Sequence, residues 1–142
     1  MLNFWMHRAR EEATKSTCLR RQAGSVLVRD RKYISAGSNK TPGALPGCNE
    51  LGICSQEQNN AQRGNLQFCR TMHSEVECIK NATKQISNFA GTTMYCTDSP
   101  CRYCAFIIIG FGVEKVVYDK IYPDGGVEIL KEAGLIVEKW CD

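Results

Sequence analysis

Thr92-Thr93-Met94-Tyr95-Cys96-Thr97-Asp98-Ser99-Pro100-Cys101-Arg102-Tyr103-Cys104-Ala105-Phe106-Ile107-Ile108-Ile109 passes from a β pattern into a helical one. Residues 92–97 mix β-branched and aromatic side chains, as a strand does. Ser99-Pro100 then opens a helix with proline in its first turn. That helix runs through the apolar block at 106–109 and stops near Gly110 or Gly112. Cys101 and Cys104 fall on its first turn, three residues apart, so both thiols can address one ion. The partial positive charge of a helix start favours thiolate over thiol at that place.

Upstream, His73-Ser74-Glu75 begins a second helical pattern over residues 73–86, with Val76, Ile79, Lys80 and Thr83 fitting its turns. One imidazole and two thiolates supply three ligands. Three protein ligands leave a fourth position for water, which marks a catalytic rather than a structural zinc. Glu75 is then free to handle protons. H-x-E followed by P-C-x-x-C is the signature of zinc-dependent nucleobase deaminases. In that chemistry zinc brings the pKa of its water toward about 7. Glu75 takes a proton from the water, passes it to the ring nitrogen beside the amino-bearing carbon, and protonates the departing amine. A zinc staple without turnover is the competing reading, and C-x-x-C alone would favour it. The H-x-E pair, the proline and the preceding strand favour catalysis.

Working outward, residues 3–15 carry a helical pattern, with Phe4, Trp5, Arg8 and Glu12 spacing its turns. Residues 24–29 and 32–37 read as strands, and the short polar break at Asp30-Arg31 joins them as an antiparallel hairpin. Residues 38–70 show no apolar period and read as one long loop, a feature that signals function or a tether. Residues 115–118 and 135–138 read as strands joined through a helix at 126–133 that Gly134 ends. The order is α-β-β-α-β-α-β-α-β. A helical crossover joins parallel strands. The expectation is a single α/β domain over residues 1–142, with three α/β/α layers around a five-stranded mixed sheet whose last two strands are parallel.

The formal charge of +3 comes without a lysine/arginine run, which argues against a nucleic-acid partner and suits a small anionic ligand. The longest apolar stretch, residues 104–109, is too short for a bilayer, and residues 1–8 lack a signal-peptide pattern. No membrane association and a cytoplasmic location are expected. Nine cysteines, an odd number, argue against a fully paired disulfide framework and for metal ligands or core positions.

Four segments together resemble the deoxycytidylate (dCMP) deaminases of the cytidine deaminase superfamily. They are Ser16-Thr17-Cys18-Leu19-Arg20-Arg21-Gln22-Ala23-Gly24-Ser25-Val26, Gly37-Ser38-Asn39-Lys40-Thr41-Pro42, Arg70-Thr71-Met72-His73-Ser74-Glu75, and residues 93–104 continued by Val116-Val117-Tyr118 and Ala133-Gly134-Leu135. The resemblance implies a cytidine deaminase-like fold and hydrolysis of dCMP to dUMP and ammonia, which feeds thymidylate synthesis. It also implies a homo-oligomer, a hexamer or smaller. Glu75 matches the catalytic residue, and His73, Cys101 and Cys104 match the ligands of the catalytic zinc. Asn39 matches the asparagine that contacts the sugar, and Ser74, Ser99 and Tyr122 complete the candidate nucleotide contacts. Two departures stand out. Gly37-Ser38-Asn39-Lys40 replaces a common G-Y-N-G, and Ser74 stands where alanine is usual, a small change the site should tolerate.

Several bacterial and phage members of the family hold a second, non-catalytic zinc. The resemblance places Cys18 and Cys48 at its ligand positions. Cys54 and Cys69 lie in the same irregular loop, and four cysteines would close a tetrahedral structural site. Cys78 and Cys96 read as core residues and Cys141 as exposed. Arg20, Arg21, Lys40, Arg102 and Tyr122 are the candidates for holding a phosphate. Free cytidine, guanine, base-modified dCMP or adenosine in tRNA remain alternative substrates, and a non-catalytic zinc-stapled module remains the alternative class.

Overall fold

The computed structural model describes residues 2–60 and 69–141. Helix α1 spans Leu2–Ala13, and strands β1 (Gly24–Arg29) and β2 (Lys32–Ser38) follow. Next come α2 (Cys48–Leu51), α3 (Ser55–Gln58), α4 (Ser74–Ala82), β3 (Thr92–Asp98) and α5 (Arg102–Phe111). The order closes with β4 (Lys115–Lys120), α6 (Gly126–Glu132) and β5 (Ile136–Lys139). The five strands form one sheet in the order β2-β1-β3-β4-β5. β1 is antiparallel to both of its neighbours, while β3, β4 and β5 run parallel. The expected mixed sheet with a parallel last pair is the one observed.

The hairpin turns at Asp30 (φ 52°) and Arg31 (φ 62°), both left-handed, in the two-residue geometry that matches strand twist. Strand alternation then sorts the core into two layers. Val26, Val28, Tyr95 and Val117 face α1 through Trp5, Met6 and Ala9. Leu27, Met94, Cys96 and Val116 face the opposite layer, built from Cys78, Ile79 and Ala82 of α4, Ala105 and Ile108 of α5, and Val127 and Leu130 of α6. The three-layer architecture follows directly from this in-and-out alternation.

The long loop is more ordered than its composition suggests. Within residues 38–70, β2 reaches Ser38 and two one-turn helices form, while residues 61–68 lie outside the described residues. Polar bonds hold the loop in place of an apolar stripe. Ser16 Oγ donates to the Asn39 carbonyl at 2.8 Å, and Asn49 N donates to the Thr17 carbonyl at 3.0 Å. Gly47 N donates to Glu50 Oε1 at 3.3 Å, which closes the start of α2. Such bonds leave no period in the sequence, so the pattern misses both helices. The other helices are shorter than their patterns. α1 ends at Ala13, and α4 runs from Ser74 to Ala82 with turns beyond Thr83.

The four ends that matter most lie on one edge of the sheet. β1 starts there at Gly24, paired with Ser38 at the end of β2, and Ser25 pairs with Cys96 near the end of β3. Asp98 and Lys120, the last residues of β3 and β4, are partners in register. α4 lies close upon β2 at Gly37, where a β-carbon would strike the backbone nitrogen of Cys78 and the carbonyl of Ser74. Gly37→Ala must therefore push the start of α4 off the sheet. A loss of about 2 kcal/mol is expected, read as a lower urea midpoint.

Candidate active site

His73 is the N-cap of α4 and Cys101 the N-cap of α5, both in extended conformation, with Cys104 on the first turn of α5. The helix does not open at Ser99-Pro100 as the sequence suggests. Ser99 N donates to the Lys120 carbonyl at 2.7 Å, and Ser99 Oγ accepts from Tyr122 N at 2.6 Å. These bonds keep the chain in sheet-like conformation past the end of β3, and a residue before proline resists the helical region anyway. α5 starts at Arg102, whose N–H is capped by Asp124 Oδ2 at 2.9 Å. Gly126 at the start of α6 packs so tightly that a β-carbon would strike the Pro100 carbonyl. The ligand loop is thus clamped from below and from the side. On the other wall, Lys40 and Met72 exchange backbone bonds of 3.1 and 2.9 Å, tying the segment before His73 to the end of β2.

The result brings His73 Nδ1 to 3.5 Å from Cys101 Sγ and 3.4 Å from Cys104 Sγ, with all three ligand atoms within 4.8 Å of one another. A tetrahedral zinc with ordinary Zn–N and Zn–S bonds sets nitrogen and sulfur about 3.6 Å apart. The donor set fits zinc in both spacing and chemistry. It is the only such cluster of histidine, cysteine and acidic groups among the described residues.

Electrostatics agree with a cation site. The hydrogen bond from Cys104, aided by His73, holds the Cys101 thiol down to about 4 despite its burial. The same bond to Cys101, together with burial, pushes Cys104 upward. Two sulfurs compete for one proton where a divalent ion would satisfy both. The hydrogen bond to Cys101 raises His73 against the opposing effect of burial.

Glu75 is buried, and burial raises its carboxyl above the ordinary range, against hydrogen bonds from Cys104 and Ser74 and the charge of His73. Ser74 Oγ donates to Glu75 Oε1 at 2.8 Å. Ser25 Oγ lies 2.8 Å from Ser74 Oγ and 3.4 Å from the same carboxylate oxygen. Two buried hydroxyls therefore grip one oxygen of Glu75. Sequence reading missed Ser25. Its signal was a hydroxyl among the otherwise apolar residues 24–28 of β1, since a buried hydroxyl needs a partner.

A cavity of about 460 Å³ opens over this cluster, a size suited to a small organic ligand. The candidate contacts Asn39, Ser74, Ser99 and Tyr122 all line it. Three of them also have structural duties. Asn39 Oδ1 accepts from Ala23 N at 2.8 Å, and its Nδ2 donates to the Arg21 carbonyl at 2.9 Å. Ser74 supports Glu75, and Ser99 holds Tyr122. Cys18, Cys48, Cys54 and Cys69 line the same cavity, but no three of their sulfurs converge into a ligand cluster. Cys48 Sγ lies 3.8 Å from Thr71 Oγ1, and Cys69 Sγ lies 3.9 Å from the Thr71 carbonyl. Cys78 and Cys96 are buried and Cys141 is exposed, as expected.

Of the phosphate candidates, Lys40 lies 3.9 Å from buried Glu77, which Lys80 also neutralises at 3.1 Å. Arg102 is exposed and reaches toward Gly125 rather than lining the cavity. Arg20 and Arg21 do line it. Arg70 does too, and sequence reading passed over it because nothing in its local pattern separates it from a loop cation.

Residues 2–120 match the family model described as the cytidine and deoxycytidylate deaminase zinc-binding region. A deoxycytidylate deaminase of Saccharomyces cerevisiae is 31% identical over 140 residues, covering 97% of this chain and 44% of the yeast protein. The chain thus spans under half the length of that relative. A deoxycytidylate deaminase of Mycobacterium phage D29 is 28% identical, covering 82% of this chain and 92% of its own. The crystal structure of the dCMP deaminase from cyanophage S-TIM5, in complex with dCMP and dUMP, superposes with a TM-score of 0.81 at 25% identity, covering 98% of this chain and 96% of that one.

Removing one sulfur leaves two ligands, too few to hold the ion. Cys104→Ser should purify with little zinc by elemental analysis, whereas Glu75→Gln should keep its zinc, because Glu75 is not a ligand.

Proposed function

This chain belongs to the cytidine and deoxycytidylate deaminase zinc-binding family, and on that premise we propose that it hydrolyses dCMP to dUMP and ammonia. The observation that carries the reading is the meeting of the His73, Cys101 and Cys104 donor set with buried Glu75 at the floor of one cavity. The deoxycytidylate deaminases of yeast and phage, and the cyanophage enzyme with dCMP and dUMP, support the substrate.

His73, Cys101 and Cys104 would hold zinc, which would supply a water acidified toward neutral pH and a Lewis acid beside the reacting carbon. Glu75 accepts a proton from the attacking water and delivers it to the ring nitrogen next to C4. A C4–O bond forms as the C4–N double-bond character is lost. Glu75 then takes the remaining proton from the hydroxyl now on C4 and gives it to the amino group. As the C4 carbonyl forms, the C4–N bond to that group breaks and ammonia leaves. The raised carboxyl suits this work, because a group that must give its proton back needs an affinity nearer neutrality than an exposed glutamate has. Ser74 and Ser25 fix the carboxylate while it works. Asn39, at the cavity wall, is the candidate sugar contact, and Tyr122 beside it is a further candidate nucleotide contact. The dUMP formed would feed thymidylate synthesis.

The same reading includes a second, structural zinc held by Cys18, Cys48, Cys54 and Cys69. Its support is that all four thiols face the one cavity and that four cysteines make a closed tetrahedral set. The energy of binding such a metal would be spent on ordering the segments that carry the four residues. Self-association as a hexamer or smaller assembly belongs to this reading as well, with exposed Tyr103, Phe106 and Ile121 as apolar surface for it. A cytoplasmic location follows from nucleotide metabolism, and no helix among the described residues is long and apolar enough to cross a membrane.

Ammonia release should be measured with dCMP, CMP, deoxycytidine, cytidine, dCTP and 5-methyl-dCMP. dCMP should be turned over best, and activity confined to nucleosides would sink the assignment. Glu75→Gln should lose activity by at least about a thousandfold while keeping zinc, and Ser74→Ala should lose roughly tenfold in kcat, the worth of one hydrogen bond to a charged group. The wild-type protein should hold two zinc ions per chain and Cys48→Ser one. A single ion in both would remove the second site.

A further inference from the structure

Among the described residues three guanidinium groups line the cavity, and two of them are committed. Arg20 donates to Gln56 Oε1 at 3.3 Å and lies 3.6 Å from the Glu57 carboxylate. Arg21 lies 3.4 Å from Asp98 and stacks 4.6 Å over the ring of Tyr122. Arg70 differs. Its Nε is buried without a hydrogen-bond partner, and the side chain makes no ion pair among the described residues. The other buried side-chain atoms without partners among the described residues, Ser38 Oγ and Thr41 Oγ1, are neutral hydroxyls. Arg70 alone of these carries a charge.

An arginine cannot relieve such a position by losing its proton, as a lysine can. A buried N–H without an acceptor is costly, and more so on a charged group. The position is sensible if an acceptor arrives from outside. The backbone here is firmly placed, since Met72 is bridged to Lys40 and Thr71 also lines the cavity. Arg70 stands three residues before His73, so at most about 10 Å of extended chain separates it from the metal ligand. That is the scale on which a nucleotide carries its phosphate away from its base. A planar guanidinium also matches phosphate oxygens two at a time.

We propose that Arg70 is the residue that holds the phosphate of the nucleotide, and that it makes the site prefer a nucleoside monophosphate to the free nucleoside. The inference rests on the nucleotide reading above and deepens it. The phosphate lies away from the reacting carbon, so Arg70 contributes mainly to binding rather than to the chemical step.

Calorimetry on the zinc-loaded protein tests this without turnover, using dUMP, deoxyuridine and inorganic phosphate against wild type, Arg70→Gln and Arg70→Lys. Wild type should bind dUMP at least a hundredfold more tightly than deoxyuridine. Arg70→Gln should bring the two within about tenfold, leaving deoxyuridine affinity within about twofold of wild type. Arg70→Lys should recover part of the loss, because it restores the charge but not the two-point fit. With dCMP as substrate, KM should rise in Arg70→Gln and kcat should hold. Removing an unpartnered charge should leave the melting temperature equal or higher, whereas an arginine that merely supports the fold would lower it. An unchanged ratio of dUMP to deoxyuridine affinity in Arg70→Gln overturns the inference even if the wild type deaminates dCMP. Joint loss of both ligands together with stability overturns it too. Weakened inorganic phosphate binding in Arg70→Gln supports an anion site at Arg70, even if wild type fails to deaminate dCMP and the nucleotide reading falls.

Discussion

Everything in this molecule is arranged so that two helix starts meet at one point. His73 comes from the first, and Cys101 and Cys104 from the second, 28 residues on. Neither segment can form the cluster alone. β2 must lie close enough to α4 for Gly37 to touch its backbone, and β3 must stay extended through Ser99 before α5 can begin. α6 must then pack its first residue against Pro100. Packing that seems merely structural elsewhere in a fold is here what sets a nitrogen and two sulfurs at zinc spacing.

The second constraint is the burial of Glu75. A carboxylate out of water needs compensation, and it receives neutral hydroxyls from Ser74 and Ser25 rather than an arginine. The hydroxyls hold the oxygen in place, and the bond from Ser74 offsets only part of the rise that burial imposes. Around the cavity the pattern reverses. Most cations there are already paired, so the few polar groups that are not become the places where a ligand can be recognised.

Periodicity exposed the architecture well because the sheet is buried on both faces. The hairpin at Asp30-Arg31, the parallel end of the sheet and the α1 layer all follow from alternation and from the spacing of apolar residues. It failed at α2, which a bond from Asn49 to the Thr17 carbonyl ties down, and at α3, where Arg20 reaches Gln56 and Glu57. It also failed at the start of α5, where side-chain and backbone bonds of Ser99 outweigh the liking of proline for a first turn. The three loop cysteines show another limit. The family resemblance, not their irregular spacing, grouped them with Cys18, and the fold does bring these residues to one cavity, but it leaves their sulfurs unconverged.

The sequence by itself determined the ligand types, the carboxylate beside them and the alternation that builds three layers, because those depend on residue identity and short-range spacing. Only the tertiary structure decided which polar groups are satisfied. Lys40 turned out to serve Glu77, Arg102 to point outward, and Ser25 to reach Glu75 from a different strand. Arg70 was left with a buried Nε that has no partner among the described residues. Whether a hydrogen-bonding group is spent or spare is a property of neighbours far away in the chain, and no local pattern carries it.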